Sequence, residues 1–250
     1  MATDYENSTK KVGCVAQQEC HEEVCKKAPP SMVTGRCDYY QNRYDNYIER
    51  HRFDSKSGGD NPPNYYLNYG FKYCSKFSKE TMPKLSPQGK EWLRNTLERL
   101  QTFMEAGVVD REWKADINEA YNDYIDKKGG AKKFYTGIEC RDSDFTKFAF
   151  ATHPDAYNPS MFKNLTCQDL ITIGATPSDE YMPSGKHKLD TLWQVIYVGE
   201  ELDRRDDILP ILANCMEEGA SYLGKKVDEA VDTIEEIFYD FARTVSRGGI

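Results

Sequence analysis

Four side chains of this sequence have types and neighbours that could support hydrolysis: Cys74, Glu80, His153 and Asp155. His153 stands in the string FAFATHPDAY, directly before a proline and two residues before Asp155. A carboxylate so close could orient the imidazole as a general base. The favoured alternative is structural, because a histidine at the end of a helix can hydrogen-bond the last backbone carbonyl groups.

Cys74 ends the aromatic run YGFKYC, and its thiol could pair with the imidazole of His153 for amide hydrolysis. A catalytic cysteine usually opens a helix, where the helix dipole lowers the pKa of the thiol. The sequence gives no clear helix start at Cys74, so a structural disulfide or a buried thiol is the favoured interpretation.

Glu80 follows the same aromatic segment and could be the acid of a glycan-cleaving pair. Its partner carboxylate stays open among Asp142, Asp144 and Asp155. A single glutamate is far more often a solvated surface residue, and this simpler interpretation stands beside the catalytic one.

Other motifs of enzymes and metal sites are missing from the sequence. There is no C-x-x-C pair, and the adjacent Cys20 and His21 suit a zinc site poorly. Neither the phosphate-binding pattern G-x-x-x-x-G-K-[ST] nor the dinucleotide pattern G-x-G-x-x-G occurs. We therefore expect no bound metal and no cofactor.

The composition is that of a folded globular chain, since 30% of the 250 residues are charged and 39% are hydrophobic. The net charge of −8 disfavours nucleic-acid binding, because an acidic surface repels phosphates. No apolar run approaches the ~20 residues of a membrane span, so no transmembrane segment is predicted. The polar N-terminus lacks the apolar core of a secretory signal, which predicts synthesis in the cytoplasm without a cleavable signal peptide.

The cysteines point to a different compartment. They are Cys14, Cys20, Cys25, Cys37, Cys74, Cys140, Cys167 and Cys215. Their even number, with four of them within residues 14–37, hints at disulfides. For those four, disulfides and reduced buried thiols stand as equal alternatives, and for the other four the reduced thiol is favoured. Because disulfides persist in oxidising compartments, this combination would suit a protein that acts outside the cytoplasm after unconventional export.

The hydrophobic period is helical along most of the chain, which predicts a mainly α, multi-helix globular fold with little or no β-sheet. The clearest helix spans residues 86–106. Ser86 suits its N-cap, Pro87 its first position and Gly107 the C′ position that ends it. Asp110 is predicted to cap the next helix.

Three further helices follow from local patterns. Residues 36–52 would place one set of side chains on a single face: Tyr40, Tyr44, Tyr47, Ile48 and His51. A short helix over 142–152 is expected to end at His153-Pro154, because the residue before a proline resists the helical region. Thr166 and Asp169 have the spacing of a capping box.

The loop-forming stretch SKSGGDNPPN, residues 55–64, suggests a boundary. Three segments are predicted from it and from the helical patterns. They are a Cys- and Tyr-rich helical segment at 1–57, a main helical domain at 65–200, and a C-terminal helical pair at 201–250 that packs on it.

Several blocks together resemble uncharacterised bacterial proteins of type VI secretion loci, found beside spike and PAAR-like genes. The blocks are YGFKYCSKF (69–77), LSPQGKEWL (85–93) with LQTFME (100–105), FAFATHPDAY (148–157), and DLITIGATP (169–177) followed by TLWQ (191–194). The resemblance covers about residues 65–200. It implies an antibacterial effector released into the periplasm of a target cell, with the secretion spike or a cognate immunity protein as partner.

Three functions stay open from the sequence. The effector could be a hydrolase of peptidoglycan, a class inferred by association, and the resemblance supplies no catalytic residues. The chain could instead be a non-catalytic interaction protein, such as an immunity or adaptor protein, which its acidic surface would suit. A cytoplasmic enzyme with an unrecognised site is the third alternative.

Overall fold

The computed structural model describes residues 34–51, 61–116, 118–162 and 164–176. These residues are mainly helical and form no strand among themselves, so the prediction of a mainly α fold is confirmed. Within them, no helix has both the length and the apolar character that a membrane crossing requires. The predicted helical pair at 201–250 and the cysteines at 14, 20, 25 and 215 lie outside the described residues.

The helices follow one another along the described chain as α1 (Asp38–His51), α2 (Lys72–Lys76), α3 (Pro87–Glu105), α4 (Glu119–Lys127), α5 (Ala131–Tyr135), α6 (Asp142–Ala156), α7 (Pro159–Phe162) and α8 (Cys167–Ala175). Between them lie π-helical segments at Tyr66–Phe71, Phe77–Thr81 and Ala106–Asp110, and 3₁₀ turns at Met82–Lys84 and Ile138–Cys140. Residues 64–84 thereby form one nearly continuous, irregular helix around α2.

Aromatic side chains fill the core on which these helices pack. α1 lies against the segment Tyr66–Phe71, where a Cβ on Gly70 would overlap the ring of Tyr40. α3 lies against α6. α1 therefore shares one core with the described helices after residue 61. The three-segment division stays a prediction.

The start of α3 follows the prediction and its end does not. Ser86 is the N-cap, since its Oγ accepts a hydrogen bond from a first-turn backbone N–H at 3.0 Å, and Pro87 is the first helical residue. The predicted stop at Gly107 is wrong, because the chain continues through the π-helical segment Ala106–Asp110. Gly107 has another role, since a Cβ there would overlap the ring of Phe148.

Asp110 does not cap the following helix, contrary to the prediction. It is the last residue of the π-helical segment, and Arg111 then turns the chain with a φ of 60°. The next helix, α4, begins at Glu119, and Asn118 caps it by accepting a hydrogen bond from the Tyr121 N–H at 3.0 Å. Residues 111–116 and 118 thus lie outside any helix, which the sequence pattern missed.

Candidate functional site

His153 lies inside α6, one residue before Pro154. The helix runs on to Ala156, so the prediction that it ends at this proline is wrong. Pro154 has no N–H, and the carbonyl of Phe150 thereby loses its usual donor four residues on. The Nδ1 atom of His153 lies 3.1 Å from that carbonyl oxygen and supplies the missing donor. This contact matches the structural interpretation of His153.

Aromatic rings enclose the imidazole of His153. It is 5% exposed and stacks on Phe150 with ring centroids 5.4 Å apart, while Tyr69 and Tyr157 meet it edge-on at 6.2 and 6.0 Å. Burial lowers the pKa of His153 to about 4, although the backbone carbonyls of Phe150 and Ala149 act in the opposite direction. The ring is therefore neutral at pH 7, with a proton on Nδ1 and none on Nε2.

Asp155 is buried, and its carboxylate holds the chain rather than the His153 ring. Its Oδ2 accepts a hydrogen bond from the backbone N–H of Asp116 at 2.8 Å. The backbone carbonyl of Asp155 accepts another from Nη2 of Arg99 at 2.9 Å. Asp155 thus fixes the chain at Asp116 and α3 to the end of α6, while the hydrogen bond of the His153 ring stays within its own helix.

Cys74 is bonded to Cys37, with a Cα–Cα distance of 5.4 Å. The sulfur is therefore no thiolate in this oxidised form, and it cannot attack a carbonyl group. Of the two structural alternatives for Cys74, a disulfide or a buried thiol, the disulfide is present. Cys140 and Cys167 are disulfide-bonded as well, and the described part of the chain contains no free cysteine.

Glu80 lies exposed in the segment Phe77–Thr81, and it forms no ion pair with the described residues. Two of its proposed partner acids have structural roles. Asp142 accepts a hydrogen bond from the Asn64 backbone N–H at 2.9 Å. Asp144 accepts one from the Tyr124 hydroxyl at 2.8 Å and one from Nε of Arg141 at 3.0 Å.

The charge state of Asp144 is set by its hydrogen bonds. Burial acts to raise the pKa of this carboxyl, but the hydrogen bonds from Tyr124 and Arg141 outweigh it and lower the pKa. The partner of an acid at Glu80 would also be ionised, so it is the engagement of both carboxylate oxygens, rather than the pKa, that argues against Asp144 in that role. Asp144 is therefore held ionised as part of the scaffold.

Sequence reasoning missed two buried arginines on α1, Arg43 and Arg50. The predicted face of this helix is partly wrong, since Ile48 is 48% exposed whereas both arginines are enclosed. Their period of seven residues places them on the same face as Tyr39 and Tyr47. This period was the available signal, but charged residues are usually assigned to the solvent.

Each buried arginine has a carboxylate and a tyrosine as partners. Nε of Arg43 donates to Oε1 of Glu105 at 2.7 Å, and the Tyr39 hydroxyl donates to the same oxygen at 2.6 Å. A second bond joins the guanidinium of Arg43 to Oε2. This bidentate contact ties α1 to the end of α3.

The second network repeats this arrangement around Arg50, seven residues after Arg43 on α1. Nη2 of Arg50 donates to Oε2 of Glu139 at 2.5 Å, and the Tyr66 hydroxyl donates to Oε1 at 2.7 Å. Nε of Arg50 is held by the Asn46 side chain at 3.0 Å. Because Arg50 and Glu139 are both buried, this network is an internal scaffold that no substrate reaches.

The described residues thus offer the four catalytic candidates in unfavourable states: a buried neutral imidazole at His153, a buried carboxylate bonded to the backbone at Asp155, an oxidised sulfur at Cys74 and a solvated carboxylate at Glu80. Among these residues no group of three or more histidines, cysteines or acids could hold a metal ion. No protein family, curated protein or solved structure matches this chain.

Proposed function

We propose that this protein is a disulfide-stabilised effector that works in an oxidising compartment by binding a partner. One observation carries the proposal: every described cysteine is bonded, including the candidate nucleophile Cys74. Such bonds are rare where glutathione keeps thiols reduced and common outside the cytoplasm. The same bond removes the nucleophile that an amidase mechanism would need.

Delivery by a type VI secretion system is the route that the sequence resemblance suggests. Such delivery would bring the chain from the producing cell to the periplasm of a target cell. The partner there would be a target protein or a cognate immunity protein. Hydrolysis of peptidoglycan stays the competing prediction for the same effector, with Glu80 and His153 as the residues to test.

The test is growth of a bacterial host that expresses the chain either in the cytoplasm or behind a periplasmic signal. We expect growth to fail only with the periplasmic form. Glu80→Gln and His153→Asn should leave this toxicity within about twofold, since neither residue is needed for binding. Cys37→Ser with Cys74→Ser should weaken it by destabilising the fold. Alkylation of the unsubstituted protein, recovered from the periplasm, should find no free thiol at Cys37 or Cys74.

The outcomes separate the alternatives. Loss of toxicity in Glu80→Gln, with helical content unchanged by circular dichroism, would replace the binding proposal by a hydrolase. If the cytoplasmic form were toxic with its cysteines reduced, the proposal that the protein works in an oxidising compartment would be overturned. A folded protein that is harmless from both compartments would leave an immunity or adaptor protein in place of an effector.

A further inference from the structure

Lysines cluster beside Tyr124 and along the turn between α4 and α5. The sequence KKGGAKK at residues 127–133 supplies four lysines, and Lys147 on α6 adds a fifth. The Nζ atoms of Lys128 and Lys147 lie 5.4 and 5.0 Å from the centroid of the Tyr124 ring. Two ammonium groups thus converge on one aromatic ring, which is an arrangement stabilised by cation–π attraction. We call these residues the Tyr124 surface.

Backbone geometry fixes where these lysines stand. Gly129 and Gly130 have φ angles of 101° and 86°, a region that side chains disfavour, and they reverse the chain tightly after α4. The Gly130 N–H donates to the carbonyl of Ile125 at 3.1 Å, which closes the turn. The Tyr124 hydroxyl donates to Asp144 at 2.8 Å and so anchors the ring. The surface is therefore built on rigid elements.

Three acids lie beside these lysines. Asp126 pairs with Lys114 at 3.3 Å, and Asp144, which holds the Tyr124 hydroxyl, pairs with Arg141 at 3.0 Å. Asp123 is the exposed acid that adjoins Tyr124 in sequence. With five lysines against three acids, the surface is locally positive on a chain whose net charge is −8.

We propose that the Tyr124 surface binds an acidic segment of a partner protein, an inference that rests on the proposed function of acting by binding. A long polyanion would meet the repulsion of the whole acidic chain, whereas a short carboxylate-rich segment meets only the local field within a Debye length of roughly 10 Å. Tyrosine is also a frequent centre of binding energy in protein interfaces, and complementary charges around it favour encounter with an acidic partner.

The probe is a fluorescent oligoglutamate peptide, titrated with the full-length oxidised protein and followed by anisotropy. We expect binding that weakens as salt rises. Lys127→Glu with Lys132→Glu should weaken it at least tenfold. The matched control is Lys79→Glu with Lys84→Glu, two exposed lysines in and next to the segment Phe77–Thr81, which changes the net charge equally. This control should weaken binding less than threefold.

Two results of the peptide titration would overturn the inference: equal loss in both double variants, or peptide binding no stronger than that of an oligoglutamine control.

Phosphatidylglycerol vesicles form a separate arm of the experiment. Binding to the vesicles without binding to the peptide would assign the surface to a membrane instead. The growth assay separates this inference from the proposed function. Unchanged periplasmic toxicity in the Lys127 and Lys132 variant would defeat the surface alone, whereas peptide binding by a harmless protein would defeat the effector proposal alone.

Discussion

The pairing of His153 with Pro154 is the most specific finding at the scale of single residues. A proline inside a helix removes one donor, and here a neutral imidazole replaces it with its Nδ1–H at 3.1 Å from the Phe150 carbonyl. A buried carbonyl without a donor is destabilising, so the two residues should be energetically coupled.

His153→Ala should lower the free energy of unfolding by about 3 kcal/mol, through the lost hydrogen bond and a cavity among the aromatic rings. His153→Asn, whose amide nitrogen can occupy the place of Nδ1, should lower it by less. In a Pro154→Ala background the restored N–H should reduce the effect of His153→Ala by about 1 kcal/mol. Urea unfolding of the wild type, His153→Ala, Pro154→Ala and the double variant measures this coupling. Strictly additive effects of the two substitutions would contradict it.

Stability should depend on pH through the same ring. The folded pKa is about 4, below the ordinary 6.5, because burial disfavours the imidazolium. Between these values the unfolded chain binds more protons, so stability rises with pH. The contribution of His153 is complete above about pH 6.5 and is lost as pH falls towards 4, amounting to about 3 kcal/mol at most. In His153→Asn, the free energy of unfolding should depend less on pH between about 4 and 6.5. Urea unfolding at several pH values measures this dependence, and an unchanged slope would argue against the role of His153.

At the scale of elements, Asp169 joins the starts of two helices. Its carboxylate accepts hydrogen bonds from the backbone N–H and the hydroxyl of Ser86 at 2.7 and 2.6 Å. It also accepts them from the backbone N–H and the hydroxyl of Thr166 at 3.1 and 2.8 Å. The capping box predicted for α8 is confirmed, and it is shared with the N-cap of α3.

Asp169→Ala should therefore lower the free energy of unfolding by about 3 kcal/mol, since it removes caps from both helices. Burial acts to raise the pKa of Asp169, but the bonds from Ser86 and Thr166 lower it. Its stabilisation is thus present above the unfolded pKa and is lost as pH falls through the folded one. Gln168→Ala, at an exposed neighbour, should change stability by less than about 0.5 kcal/mol in the same thermal or urea unfolding.

Close packing between α6 and the π-helical segment Ala106–Asp110 that follows α3 gives a second test at this scale. Gly107→Ala should destabilise the fold by about 1–3 kcal/mol, because the added Cβ would meet the ring of Phe148. In a Phe148→Leu background the same substitution should have a smaller effect. Equal effects in both backgrounds, measured by urea unfolding, would show that the ring is not the obstacle.

At the scale of the molecule, the Cys37–Cys74 disulfide links residues 37 positions apart, and thereby α1 to the irregular helix 64–84. Closing such a loop in the unfolded chain is worth about 3–4 kcal/mol by chain entropy. Cys37→Ser with Cys74→Ser should lose that amount in urea unfolding. Wild-type protein with this bond selectively reduced, checked by alkylation and mass spectrometry, should match the variant. If the variant were as stable as the wild type, the disulfide would not be a source of stability.

The two buried networks also act on the whole molecule. Arg43 ties α1 to Glu105 at the end of α3, and Arg50 ties it to Glu139 before α6. Buried ion pairs are weak sources of stability because both charges lose their hydration. Their geometric demands instead favour one arrangement of α1 over its alternatives, because a shifted helix would leave charges buried without partners.

Much of the local structure could be predicted from the sequence. The helical period gave the mainly α fold, and contacts within one turn gave the N-cap at Ser86 and the capping box at Thr166. In the candidate site, the sequence favoured a hydrogen bond from His153 to a helix carbonyl, and a structural disulfide or buried thiol at Cys74. Each depends on residue types and immediate neighbours, which the local sequence contains.

Only the tertiary structure decided the rest. The carboxylate partners of Arg43 and Arg50 lie 62 and 89 positions away in sequence, so their burial could not be predicted from a helical period. The role of Gly107 depends on Phe148 in another helix, and the partner of Cys74 on the fold that brings Cys37 beside it. The physical reason is the same for all of them. Packing and charge pairing between distant segments set these choices, and their free energies outweigh the local preferences that a sequence pattern reports.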